Sequence, residues 1–535
     1  MNRLRLVAAV LLMTTMLFSA FPTEVTAQLT PEQNLINNRV NNRIGDMSFF
    51  GGISEGVRLP LTTEILIAES DNQRTRNRRD ARSFRYSELV FLGGGAPVQF
   101  DGNLEVIRGG AVDVTEAVGS FDVTHRVTSN DSTADNVDIY RSITFDVNYH
   151  LVGSQIIFTY LVRRNNWRET VIVDGNEFNL VPNMSHYNIS IIQDITPGVS
   201  YYRGDISGRL VFNDDNDAVI TKDIQGSFHG YRSPWSASET LRLDVTIDAG
   251  SWGLQYQVRP SITMNKVLQF VQNEPTAISF QGNFREVMHN NVGLRYDIFA
   301  APNSMWDVPR TGTVSMEIPN AFEQLPAHDL SFLRGNPAED DINRLFSTRI
   351  LTGDPRFFQP SHAITRGQFV AAVARALRLP IEQPDNRRIR AAMVQPDTAV
   401  FYDVPNTRPE YQYIMAAHRA GLAFGRANSM FYFDYPIDRQ EAFMIMIRGL
   451  GLSQMGLNPT PATPFADDAM VAQWARREVT VAHMIGLAVP DENGFFHPTR
   501  QLSMGEAANI LNELVEYMRV GLISDYVDQI VNIVR

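Results

Sequence analysis

Two arginines stand where a helix should begin. Arg366 follows Thr365 and Arg439 follows Asp438, and Thr and Asp are residue types that cap helix N-termini. An arginine in a first turn offers a planar fork of donors beside the positive end of the helix, which is chemistry for a carboxylate. The third equivalent position, after Ser503, holds Met504, whose thioether donates nothing. On position alone, each arginine reads better as an exposed first-turn residue with no ligand. Other chemistry is sparse. The ten histidines show no pair four apart and no His-x-His, so no metal or cofactor is expected. Asn213-Asp214-Asp215-Asn216-Asp217 lacks the glycine and terminal Glu of a calcium loop and reads as a hairpin turn. Gly93-Gly94-Gly95 lacks the Lys-Ser or Lys-Thr of a phosphate loop. No catalytic motif appears, so the chain is expected not to be an enzyme, although paired carboxylates meet only in space.

Three repeated helices must carry the arginine positions. Thr365, Asp438 and Ser503 are each followed three residues later by Gln368, Glu441 or Glu506, the pattern of a capping box. Apolar residues then coincide in all three segments. They are Phe369, Ala442 and Ala507, then Ala372, Ile445 and Ile510, then Val373, Met446 and Leu511, then Leu377, Leu450 and Val515. Those offsets draw one apolar stripe on each helix. Ile364, Ile437 and Leu502 precede the caps as staples, and Phe358, Phe431 and Phe496 stand six residues before them. Gly353 aligns with Gly425. Gly421 and Gly486 end an earlier helix, with Arg349 as the first counterpart. The staples are spaced by 73 and 65 residues, and one unit of this kind cannot bury its own stripe, whereas three packed together share a core.

Aromatic-x-Asp, a helix, a glycine turn, Phe-x-Pro and then Ile-Thr-Arg-Ala-Glu at a helix start is the signature of the S-layer homology domain, which residues 328–518 resemble. The last five residues appear here as Ile364-Thr365-Arg366-Gly367-Gln368, Ile437-Asp438-Arg439-Gln440-Glu441 and Leu502-Ser503-Met504-Gly505-Glu506. The resemblance implies an all-α, pseudo-threefold bundle of three repeats. Its grooves would bind a secondary cell-wall polysaccharide, often one carrying a pyruvylated amino sugar. A ketal-linked pyruvate is a carboxylate, so three repeats in register favour ligand roles for Arg366 and Arg439, with the Met504 groove weak or altered. The resemblance also brings in Thr365, Gly353 and Gly425, and makes Asp403 and Asp467 groove-lining acids as well as candidate N-caps. Trp474, placed on the first helix of the third repeat, would stack on a sugar or sit in the core.

The remaining chain is expected to be β-rich. Ile143, Phe145, Val147 and Tyr149 alternate with polar residues, as do Ile156, Phe158 and Tyr160 beyond Gly153-Ser154; this is a hairpin of half-buried strands. Leu241, Leu243, Val245 and Ile247 give another strand, and Asp174-Gly175 another turn. The fold class is therefore multidomain: an N-terminal all-β sandwich or barrel, as one domain or two, then the helical bundle. Tyr231, Trp235 and Trp252 are either core aromatics or a sugar platform. Arg3 and Arg5, an apolar run to Phe18 and Val25-Thr26-Ala27 read as a signal peptide. The expected order is a signal peptide at 1–27, a surface part at 28–325, repeats at 328–380, 401–453 and 464–518, a linker insertion at 381–400 and an amphipathic tail at 519–535. No cysteine is present, which removes disulfides and thiolate sites, and a net charge of −12 argues against nucleic acid as a partner. The expectation is a secreted cell-wall or S-layer protein of structural or interaction type, with no membrane span after signal removal and with self-association in a surface layer as an option. The alternatives are a wall-anchored polysaccharide-degrading enzyme and a carbohydrate-binding surface protein.

Overall fold

The computed structural model describes residues 46–47, 50–54, 80–92, 96–109, 118–129, 137–152, 155–194, 196–271, 284–299, 309–326, 328–381, 401–425, 429–457 and 462–526. The expected signal peptide, nearly all of the linker insertion and the end of the tail lie outside them. Among the described residues, the first part of the chain supplies seventeen strands in one antiparallel sheet. They are β1 (Asp46–Met47), β2 (Ile53–Ser54), β3 (Asp80–Val90), β4 (Val98–Gly109), β5 (Val118–Ser129), β6 (Val137–Val152), β7 (Gln155–Val162), β8 (Arg168–Val173) and β9 (Asn176–Leu180). After these come β10 (His186–Asp194), β11 (Ser200–Asn213), β12 (Val219–Arg232), β13 (Ser236–Asp248), β14 (Gly253–Phe270), β15 (Phe284–Phe299), β16 (Arg310–Met316) and β17 (Ala321–Gln324).

Alternation dictates which way each strand faces. Ile143, Phe145, Val147 and Tyr149 on β6 are buried, as are Ile156, Phe158 and Tyr160 on β7. Val152 pairs with Gln155, which leaves two residues for the turn. Asp174 and Gly175 link β8 to β9 with φ of 51° and 81°, the left-handed pair that a two-residue hairpin requires. The Arg85 side chain on β3 donates to the Glu317 carbonyl just beyond β16 at 2.9 Å, bringing the first and last long strands together. The sheet thus rolls round one apolar interior, rather than dividing into two packed sheets. Within that interior Arg141 lies 2.7 Å from Glu88 and 2.6 Å from Glu169, all three nearly closed to solvent.

The chain then becomes helical. The helices are α1 (Glu339–Ser347), α2 (Arg366–Ala376), α3 (Tyr411–Arg419), α4 (Arg439–Leu450), α5 (Arg476–Met484), α6 (Met504–Glu516) and α7 (Leu522–Asp525). Capping boxes are complete at Thr365 and Ser503, and the Asp438 carboxylate accepts the Glu441 amide. All twelve stripe residues of α2, α4 and α6 are buried. Gly421 and Gly486 have φ of 70° and 78° after α3 and α5, and Arg349 after α1 takes 62°. The same left-handed stop is therefore used without a glycine.

The starts of α2, α4 and α6 are bound to one another in a ring. Ile364 N donates to Leu502 O, Leu502 N to Ile437 O, and Ile437 N to Ile364 O, at 3.0, 3.1 and 3.3 Å. The next amides of each helix reach the loop of the following segment. Arg366 N donates to Tyr435 O, Arg439 N to Arg500 O and Met504 N to His362 O, at 2.7, 2.9 and 2.7 Å. Amides at helix starts have no intrahelical acceptor, so the ring satisfies them.

At their other ends these three helices meet the sheet, where the last carbonyls of a helix need donors. Trp235 Nε1 donates to Ala376 O at 2.9 Å, Tyr201 Oη to Leu450 O at 3.0 Å and Gly198 N to Gly449 O at 2.8 Å. Ser236 Oγ donates to Met518 O, just past α6. Tyr526 extends this joint, its hydroxyl donating to Gly230 O at 3.0 Å. Glu286 bridges Lys266 and Arg378 at 2.8 and 3.0 Å. Tyr231 and Trp235 are thus core aromatics of this joint, not a sugar platform, and Val199 and Tyr201 share its apolar cluster with the helices.

Candidate functional site

Each capped helix start makes a junction with the loop of the next segment, and the three junctions differ chemically. At the first, Arg366 is 3% exposed. Its Nε donates to Glu441 Oε1 at 2.7 Å, Nη2 to Phe424 O at 2.9 Å and Nη1 to Phe431 O. The guanidinium also lies over the Phe431 ring, 4.2 Å from its centroid. The expectation that Arg366 faces a groove is corrected: burial and an acceptor on each of its three nitrogens make it an internal tie between two repeats.

At the second junction Arg439 lies over Phe443 and Phe496, 5.0 and 5.1 Å from the centroids. Its Nε is buried without an acceptor, and among the described residues no carboxylate is paired with it. Burial, then the nearby Arg500 guanidinium, pushes its pKa below the ordinary arginine value. Glu506, the counterpart of Glu441, is held by Arg500 and by the Ser503 amide. Burial alone would raise the Glu506 carboxyl; the Ser503 amide and Arg500 outweigh it and hold the pKa below the usual range. This junction therefore keeps between two rings a guanidinium that has no direct ion pair among the described residues, with the Glu506 and Glu513 carboxylates acting on it only at longer range. At the third junction Met504 replaces the arginine and Gln368 the glutamate, so both members of the ion pair are gone.

The remaining predicted site residues have local duties. Thr365 caps α2. The Asp403 carboxylate accepts the amides of Phe431 and Phe433 at 2.7 and 2.9 Å, and Asp467 those of Phe496 and His497 at 2.9 and 2.7 Å. Both acids clamp the aromatic loop of their own segment and neither caps the helix that follows. Burial would raise Asp403, but those two amides overrule it and lower its pKa. Gly353 needs its φ of 105°, whereas a side chain at Gly425 would strike Phe401 at 2.8 Å. Both glycines shape turns. Trp474 is not on a helix: it lies in the turn before α5 and is 49% exposed. The nearby Ala472 amide donates to Gln440, the residue after Arg439, at 2.9 Å, so this turn borders the second junction. Arg500 was not anticipated. The signal was its position two residues before Leu502, where Tyr435 and His362 stand in the other segments.

The sequence model of the S-layer homology domain matches residues 334–370 and 400–443, and these are S-layer homology repeats. An amylopullulanase of Thermoanaerobacterium thermosulfurigenes is 28% identical over 212 residues, covering 38% of this chain and 11% of that protein. An endoglucanase of Bacillus sp. (strain KSM-635) is 24% identical over 176 residues, covering 32% of this chain and 17% of that protein. An S-layer protein of Bacillus thuringiensis subsp. finitimus is 25% identical over 173 residues, covering 32% of this chain and 19% of that protein. The chain spans less than a fifth of the length of each of these relatives. The repeats and the S-layer relative make this a secreted protein associated with the cell wall. The expectation of a non-enzyme is corrected: relatives named for polysaccharide hydrolysis point toward an enzyme, and a missing linear motif was no argument against one, because catalytic carboxylates pair in space.

Proposed function

We propose that the chain is held on the wall through a three-repeat, pseudo-threefold helical anchor that binds a secondary cell-wall polysaccharide. In this reading its β-rich part works on polysaccharide there, as a degrading enzyme or as a carbohydrate-binding surface protein. The ring of bonds among Ile364, Ile437 and Leu502 supports residues 464–518 as the third repeat. The observation that carries anchoring is the unpaired Arg439 guanidinium between Phe443 and Phe496. A carboxylate-bearing sugar, such as a pyruvate ketal, would supply the missing anion. The exposed Trp474 in the bordering turn would offer it a stacking face.

The degrading reading draws its support from the hydrolase relatives. Glu88 and Glu169, both buried on Arg141, form a structural ion triad, so a hydrolase would use acids on the open faces of the sheet. The test is release of reducing ends from starch, pullulan and cellulose, run beside pull-down on the same polymers. Release supports the enzyme, binding without release supports the carbohydrate-binding protein, and neither overturns both. The S-layer relative supports a second reading, a subunit of a surface layer, which an ordered array of purified protein under the electron microscope would establish.

A further inference from the structure

We propose that Arg500 is a positioning residue that keeps the second junction open by holding Glu506 away from Arg439. The proposal rests on the reading of Arg439 as the cation that meets the wall polymer. The first junction shows what happens without such a residue. There the position two before the staple is Tyr435, and Glu441 closes on Arg366. In the second junction that position is Arg500, and its Nη1 donates to Glu506 Oε1. The Glu506 Oε2 stays on the Ser503 amide at 3.0 Å. One carboxylate is thereby shared between a cap and a local arginine, and the cation across the junction has no direct bond to it, although Glu506 and Glu513 still act on that cation at longer range. Charge competition of this kind is strong at short range, because hydrogen bonds between ionised groups are about twice as strong as neutral ones.

The exchange needs no change of fold. Arg500 contributes to the ring through its backbone carbonyl, which accepts Arg439 N at 2.9 Å whatever side chain it carries. A glutamine at 506 would retain the cap, as Gln368 already does in the first repeat, where its Oε1 accepts Thr365 N at 3.1 Å. Side-chain substitutions therefore separate the charge effect from the helix start.

The experiment is calorimetry of full-length variants against wall polysaccharide purified from the producing cells, with circular dichroism melts as the folding control. Arg500→Met frees Glu506 to turn to Arg439, and affinity falls by about tenfold or more, the worth of one charge-assisted contact. Arg500→Met combined with Glu506→Gln removes the competitor, and affinity returns to near wild type. Arg500→Lys keeps a cation for Glu506 and binds like wild type. If Arg500→Met lowers the helical melting temperature, Arg500→Gln serves the same comparison. Wild-type affinity in the Arg500→Met protein overturns the proposal. So does a double variant that stays weak, since Arg500 would then touch the polymer itself. Undiminished binding by Arg439→Ala is a different result, which removes the underlying reading of Arg439.

Discussion

Arg366 Nε lies 2.7 Å from Glu441 Oε1, with both side chains almost closed to solvent, while the equivalent Arg439 has no such partner among the described residues. Two arginines in the same motif position therefore do different things. One fastens two repeats together and the other makes no direct ion pair among the described residues.

The first prediction separates those roles. Arg366→Ala breaks the buried ion pair with Glu441 by removing its cation, a change that costs about 3–5 kcal/mol of stability. Thermal melting should reveal it before any binding defect does. Arg439→Ala removes a guanidinium with no ion pair to lose, so the fold should persist. Polysaccharide affinity should drop by about tenfold or more. Calorimetry on folded protein distinguishes the two variants; equal binding losses at equal stability would refute the division.

The repeats were legible because periodicity and capping are local. Every stripe position read from the sequence is buried, and Arg349 stands in the left-handed region where its aligned glycines stand. The alternation in β6 and β7 likewise gave their buried faces. The fate of Arg366 was not legible, because its carboxylate lies 75 residues away and only the ring of repeats brings it near. For Asp403 and Asp467 the sequence offers a groove-lining acid, from the resemblance, or a helix cap, where Asp often serves. Their acceptor oxygens instead reach amides 28 to 30 residues on. Nor does any periodicity announce that Trp235 ends a helix in another part of the chain.

The joint between sheet and helices sets a second prediction. Trp235 is buried, and its Nε1 satisfies Ala376 O. Trp235→Ala should cost about 3–5 kcal/mol. Trp235→Phe should cost less, about 1–3 kcal/mol, for the carbonyl left without its donor. Far-ultraviolet signals of helix and sheet should melt together in the wild type. Independent melting of the helical signal, unmoved by either substitution, would show that the two parts are not coupled.

The same joint should loosen in acid. Burial alone would raise the Glu286 carboxyl, but Arg378 and Lys266 outweigh it and bring its pKa down to about 2. A folded-state pKa below the unfolded value means the contribution is complete above about pH 5 and is lost as pH falls toward about 2. Melting temperature should therefore decline over that window. Glu286→Gln should be less stable than wild type at neutral pH and converge on it near pH 2. Parallel curves for the two proteins would show that this carboxylate is not the group responsible.

The last prediction builds a site at the third junction. There Met504 faces the loop of the first repeat, its amide donating to His362 O at 2.7 Å, and Phe358 stands where Phe431 and Phe496 stand in the other two. Met504→Arg would put a guanidinium at that helix start with no glutamate opposite, since the matching residue is Gln368. That reproduces the open state of Arg439. The expected result is a rise from one to two polysaccharide sites per chain in calorimetry, with a modest loss of stability from placing a cation in a partly buried position. Adding Gln368→Glu supplies the carboxylate that Glu441 supplies to Arg366. The new cation should then be neutralised from within, the stoichiometry should return to one, and stability should recover. The Glu at 368 can still serve the Thr365 cap, because Glu506 serves Ser503 in the same way. If Met504→Arg is folded and still binds at a single site, an open first-turn arginine is not sufficient for binding, and the loop residues around Arg439, with Trp474 first among them, must carry the recognition.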